Sequence, residues 1–176
     1  MKEVYIFDID GCVMPVIFKN FNGIEPRNKI INDAIKNGNK ASLYPEFIEF
    51  YKTYCREAES IYFLTGRKYK EFGNLTEKQL QILNEFRNFQ IIYYPEGKSY
   101  KNRQYFGWKV KEIKKIIKKS INKTLKQEHS KEILKFIIFD DMSDHFPKIK
   151  KIEELSNYQV QLTVIESQKN WNLLNL

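Results

Sequence analysis

The sequence predicts an α/β domain: a parallel sheet with helices on both faces. Three observations carry that expectation. Short β-prone apolar runs alternate with segments of helical periodicity, the pattern of parallel strands joined by helical crossovers. The chain of 176 residues has the length of one domain with a sizeable core, so residues 1–176 are expected to form a single unit. Several strand-like runs end in acidic or hydroxyl residues, and the carboxyl ends of parallel strands are where such sheets place ligands.

The elements follow in order. Val4–Phe7 is a buried first strand. Residues 14–43 contain Asn22-Gly23, Glu25-Pro26 and Asn37-Gly38. These turn signals predict an irregular flap, hairpin or small insertion. Pro45 opens a helix whose apolar face is Phe47, Ile48, Phe50, Tyr51 and Tyr54. Ile61–Leu64 is the second strand. Thr76-Glu77-Lys78-Gln79 fits a capping box, with Leu80, Leu83 and Phe86 following at helical spacing. Ile91–Tyr94 is a third strand stopped by Pro95, and residues 104–122 form a basic amphipathic helix. Phe136–Phe139 is the fourth strand, His145–Leu155 a helix, and Val160–Ile165 the fifth strand.

Composition excludes several classes. No apolar run approaches the length of a membrane span, and the chain reaches Asp8 too soon for a secretory leader. Two cysteines, Cys12 and Cys55, make no disulfide framework, so a reduced, cytoplasmic setting is expected. The formal net charge is +8, and it is localised. Residues 96–136 hold 13 Lys/Arg against 4 Asp/Glu, whereas the rest of the chain is nearly neutral. A basic strip of this kind is a footprint for a polyanion such as nucleic acid. It is equally what a solvated helix face shows, since these lysines fall largely opposite Val110, Ile113, Ile117 and Ile121.

The strand ends carry the chemistry. The first runs into Asp8-Ile9-Asp10-Gly11, the second into Thr65-Gly66-Arg67 and the fourth into Asp140-Asp141. In a parallel sheet all three ends share one edge, where four carboxylates would meet a hydroxyl and a Gly turn. Like charges about 4 Å apart repel by roughly 4 kcal/mol at an effective dielectric near 20. Such a cluster requires a cation or protonation of some members. Hard oxygen donors suit Mg²⁺, which also binds substrate phosphate. A single Asp after a strand is usually a turn or cap residue; three strand ends with matching chemistry argue against caps.

Asp8-Ile9-Asp10-Gly11-Cys12-Val13, Leu64-Thr65-Gly66-Arg67 and Phe139-Asp140-Asp141 resemble, in order and spacing, motifs of the haloacid dehalogenase (HAD) superfamily of phosphatases. Cys12 departs from the Thr commonest there. The resemblance implies a Rossmann-like three-layer fold with five parallel strands and, given about 50 residues between the first two motifs, no large cap domain. It implies Asp8 as nucleophile, forming an aspartyl-phosphate, and Asp10 as general acid and then base. Thr65 and the N–H of Gly66 would hold phosphoryl oxygens. Asp8, the Asp10 carbonyl and Asp141 would ligate Mg²⁺, and Asp140 would bind a metal water or the lysine of a third motif. That lysine offsets charge on the phosphoryl group. Lys101 is the first choice, Lys98 the second, and Lys109, deeper in the helix, is expected to be solvated.

Within the superfamily the residues are similar to the 3′-phosphatase domain of polynucleotide kinase and related RNA-repair phosphatases. Gly107 and Met142 depart from that group. No phosphate-binding Gly-x-x-x-x-Gly-Lys-[Ser/Thr] loop occurs, which argues against a kinase. Arg67 and Arg103 are candidates to pair a second substrate phosphate bidentately, and Arg67 is equally a candidate anchor for its own loop. The expected partner is a phosphorylated substrate, with nucleic acid contacting the 96–136 segment and no membrane. The competing readings are a sugar-phosphate or nucleotide phosphatase using the same residues, a phosphoacceptor domain, a metal-dependent nuclease and a non-catalytic nucleic-acid-binding module. A phosphoacceptor domain would carry its Asp after the third strand, where Tyr93-Tyr94-Pro95 stands here.

Overall fold

A computed structural model describes residues 2–18, 26–98, 102–125, 134–141, 146–152, 160–166 and 171, with side chains described for 2–18, 26–98, 107–123, 134–141, 147–152 and 171. The order is β1 (Lys2–Phe7), α1 (Arg27–Gly38), α2 (Pro45–Tyr54), β2 (Ser60–Thr65), α3 (Tyr69–Leu80) with a 3₁₀ turn (Gln81–Glu85), β3 (Gln90–Tyr93), α4 (Asn102–Leu125), β4 (Leu134–Asp140), α5 (Phe146–Lys150) and β5 (Val160–Glu166). The strands form one sheet in the order β3-β2-β1-β4-β5. Every described pairing is parallel.

The sheet is buried on both faces because its strands alternate two apolar sets. Tyr5, Phe7, Ile61, Phe63, Ile137 and Phe139 point one way, against Phe47, Phe50 and Tyr51 of α2 and against Trp171. Val4, Ile6, Tyr62, Leu64, Phe136 and Ile138 point the other way, against Ile113, Ile116, Ile117 and Ile121 of α4 and Ile149 of α5. The result is three layers. Aromatic packing dominates the first face: Phe7 stacks on Phe139 at 5.1 Å and meets Phe47 edge-on at 5.2 Å.

Two expectations change. The 14–43 segment holds helix α1 where a flap or hairpin was expected. Its turn signals bracket the helix: Pro26 is the N-cap and Gly38 the last helical residue. At Gly38 the Leu75 side chain packs close over the backbone, so that a Cβ there would lie 2.5 Å from Leu75 Cδ2. Asn22-Gly23 falls outside the described residues. The Thr76–Gln79 capping box is also absent, because α3 begins seven residues earlier, at Tyr69, with Lys68 as its N-cap. Thr76 and Gln79 serve another purpose, described below.

The strand order sets the site. From β1 the chain moves to β2 and β3 on one side, then crosses to β4 on the other. The carboxyl ends of β1 and β4 therefore flank a switch point, where open α/β sheets leave a crevice.

Candidate active site

Register brings the acids together. Phe7 pairs with Phe139, and the Asp8 N–H donates to Phe139 O at 2.9 Å. Asp8 therefore leaves β1 beside the end of β4, where Asp140 and Asp141 stand. Side chains on a strand alternate faces. Val4, Ile6 and then Asp8 share the α4 face, as do Phe136, Ile138 and then Asp140. The same parity puts Thr65, after Ile61 and Phe63, on the opposite face. One ligand-bearing oxygen from each of Asp8, Asp140 and Asp141 falls within 4.8 Å of the others.

The lysine facing this cluster is Lys109. Its Nζ lies 2.6 Å from Asp140 Oδ2 and 3.1 Å from Asp8 Oδ2, and the residue is 2% exposed. This corrects the expectation of a solvated Lys109. The signal was present in the sequence: Lys109 lies four residues before Ile113 and eight before Ile117, in line with the buried stripe of α4. A lysine on an apolar stripe is a buried charge, and a buried charge needs partners. Lys101 falls outside the described residues. Lys98 is exposed after β3; its carbonyl accepts from Lys68 Nζ at 2.7 Å, and its own side chain makes no ion pair with the cluster among the described residues. The side chain of Arg103 lies outside the described set.

Gly11 lets the acids approach. Its φ is +82°, a conformation that L side chains rarely adopt. A Cβ there would lie 2.2 Å from Asp141 Oδ2. The turn is closed by Gly11 N–H to Met14 O (2.8 Å) and Val13 N–H to Ile9 O (3.1 Å). Cys12 is fully buried, and its carbonyl accepts from Trp171 Nε1 at 3.3 Å.

Arg67 is fully buried and is an anchor rather than a substrate contact. Its Nε and Nη2 grip Asp10 Oδ2 and Oδ1 at 2.9 and 2.8 Å. Its Nη1 donates to Thr76 Oγ1 (3.0 Å) and Gln79 Oε1 (2.6 Å), and Nη2 also contacts Met14 Sδ at 3.4 Å. All five guanidinium N–H groups are engaged, so none remains for a second phosphate. The two residues that mimic a capping box are the socket for this side chain. Thr65 Oγ1 accepts from the Arg67 N–H at 3.2 Å, which orients the loop. The adjoining loop is stitched on by Tyr94 N–H to Arg67 O (3.0 Å) and Lys70 N–H to Glu96 Oε1 (3.0 Å).

Electrostatics describe a site suited to a cation. Burial pushes the Asp8 carboxyl up to about 8; Asp140 and Asp141 add to the rise, and Lys109 opposes it. Asp141 is also raised, first by burial and then by Asp140. Three hard carboxylates held together against their own repulsion are a fitting donor set for a small divalent cation. The Asp10 carboxylate, turned to Arg67, is not one of the three.

No family model matches the sequence, and no curated protein matches it. Among solved structures, the HAD domain of the effector protein Lem4 from Legionella pneumophila matches at TM-score 0.52 and 12% identity, over 97% of this chain and 90% of that one. This chain has a HAD-type fold. The inactive mutant of that Lem4 domain gives TM-score 0.46 at 13% identity, over 97% and 89% of the two chains. A chain of the Pnkp1/Rnl/Hen1 RNA repair complex gives 0.45 at 16% identity, over 93% of this chain and 42% of that one. In this HAD-type domain the acidic cluster sits at the carboxyl edge of the sheet. Among the described residues, no helix is long and apolar enough to cross a membrane.

Proposed function

We propose that the chain is a Mg²⁺-dependent phosphomonoester hydrolase working through an aspartyl-phosphate on Asp8. The observation that carries this reading is the Lys109 ammonium bridging Asp8 and Asp140 beside Asp141. A nucleophilic carboxylate attacking a phosphate dianion must overcome like-charge repulsion, and a fixed cation at the attacking oxygen offsets it.

Asp8 attacks phosphorus while the ester P–O bond breaks. The departing oxygen takes a proton from Asp10. Water then gives a proton to Asp10 and attacks the aspartyl-phosphate, releasing phosphate and restoring Asp8. Arg67 holds Asp10 in place at both carboxylate oxygens. Thr65 and the Gly66 N–H receive the phosphoryl oxygens. Asp8, Asp141 and the Asp10 carbonyl would hold Mg²⁺, with Asp140 holding Lys109. The ion, when bound, supplies positive charge to the phosphoryl oxygens.

The substrate class we favour is a nucleic-acid 3′-phosphate end. Residues 26–44 hold one helix and a short connection, and an insertion of this length is consistent with an open site that suits a bulky substrate. The test is phosphate release from p-nitrophenyl phosphate and from a 3′-phosphorylated oligonucleotide, with Mg²⁺ or EDTA, for the natural chain and Asp8→Asn. Release that needs both Mg²⁺ and Asp8 supports the chemistry. Preference for the oligonucleotide supports end processing; turnover of the small ester alone favours a metabolite phosphatase. Release that persists in Asp8→Asn would sink the mechanism.

A further inference from the structure

The basic segment is the obvious place to lay a polynucleotide, but α4 turns it the wrong way. Lys111, Lys114, Lys115, Lys118 and Lys119 recur at helical spacing on one exposed face. Lys109 and Ile113, Ile116 and Ile117 occupy the opposite face, against the sheet. The helix also leads away from the site: Lys123, near its end, pairs with Glu59 at 2.6 Å, just before β2 begins.

A different surface lies between α1 and α3. A cleft of about 540 Å³ runs between α1 and α3, with Ile35, Asn39, Tyr69, Lys70, Asn74 and Lys78 in its lining. It continues into a second hollow of about 300 Å³ that shares Asn39 and Lys78. Its mouth is tied to the catalytic edge. Thr65 pairs directly with Tyr93 in the sheet, and the Tyr93 ring meets the Tyr69 ring at 5.3 Å. Tyr69 is 54% exposed although it is a large aromatic. Lys70 and Lys78 are exposed and have no ion-pair partner among the described residues, whereas the acid in the lining, Glu71, is paired with Arg27. An exposed ring followed by free cations over an apolar floor is the chemistry that holds single strands: bases stack, and phosphates meet ammonium groups.

Building on the proposed 3′-end phosphatase reading, we propose that the α1–α3 cleft is the track for the single-stranded polynucleotide whose 3′-phosphate enters the site. Tyr69 stacks a base near the end, and Lys70 and Lys78 meet phosphates further along. The α4 lysines take no part in substrate binding.

The test is fluorescence anisotropy of a 5′-labelled, 3′-phosphorylated octanucleotide on the Asp8→Asn chain, with p-nitrophenyl phosphate hydrolysis measured on otherwise natural chains. Tyr69→Ala is expected to weaken binding about fivefold or more. Lys78→Gln should flatten the salt dependence by about 0.7 in the log–log slope. Lys114→Gln with Lys118→Gln should change affinity less than about twofold, and none of these variants should alter hydrolysis of the small ester. Binding lost in the α4 variants and kept in the cleft variants would overturn the proposal. So would absence of oligonucleotide binding by a chain that hydrolyses the small ester. Cleft-dependent binding in a chain with no hydrolysis would uphold the cleft and refute the phosphatase reading.

Discussion

At the scale of single residues, Lys109 is the decisive one. It neutralises Asp8 and Asp140 from within 3.1 Å while itself buried. Removing one member of such a group leaves buried charge uncompensated. Lys109→Met is expected to lower kcat about 100-fold or more, and Lys101→Met less than about threefold; the reverse order would return the role to Lys101. Asp8 makes a pH prediction. Burial raises its folded-state pKa to about 8, far above the value in the unfolded chain. In metal-free protein its contribution to stability is therefore present below the ordinary carboxylate range and is lost as pH rises through about 8. A divalent cation must displace that proton. The apparent Mg²⁺ affinity, measured by the metal's effect on the thermal midpoint, should thus strengthen from pH 6 to pH 8; an affinity independent of pH would contradict it. Lys109 was legible as a lysine in line with the apolar stripe of α4, but a place at the start of the helix, facing the strand ends, favoured Lys101. Distance along the sequence is a poor guide on a long helix, where one turn selects the face.

At the scale of elements, α3 is built around Arg67. The chain leaves β2, and the next helix returns Thr76 and Gln79 to the guanidinium while Asp10 takes its other side. Arg67 thereby links β1, β2 and α3, and it fixes the direction of Asp10. Lysine cannot reproduce a five-donor fork. Arg67→Lys is expected to cost about 3 kcal/mol, the low end for breaking a buried pair, or about 6–12 °C in Tm for a chain of this size. An unchanged Tm would show that the network is slack. The misread capping box has a physical reason. Thr and Gln three residues apart lie on one helix face whether they cap backbone N–H groups or receive a side chain. Only the position of Arg67 in space distinguishes the two. The same ambiguity hid α1, because Pro and Gly delimit a helix as readily as a hairpin.

At the scale of the whole molecule, a late residue packs against the turn made by an early loop. The Trp171 indole is 2% exposed, packs on Phe47 and Phe139 at 4.8 Å each, and donates to Cys12 O at 3.3 Å. It covers the underside of the turn that carries Asp10 and Gly11. Trp171→Phe removes this hydrogen bond, worth about 0.5–1.5 kcal/mol. A fall in Tm of about 1–6 °C follows, with a larger fall in Trp171→Ala from the cavity. A Trp171→Phe chain as stable as the natural one would remove the hydrogen bond from the account. The sequence by itself determined the alternation of strands and helices, the acids and hydroxyl at three strand ends, and their convergence on one edge. Those follow from periodicity and from the shared direction of parallel strands, which are local properties. The tertiary structure alone decided how closely Lys109 approaches Asp8 and Asp140, that Arg67 turns inward to Asp10, and that the basic face of α4 looks away from the site. These depend on strand parity, register and helix rotation, and each is settled when two faces pack together rather than along the chain.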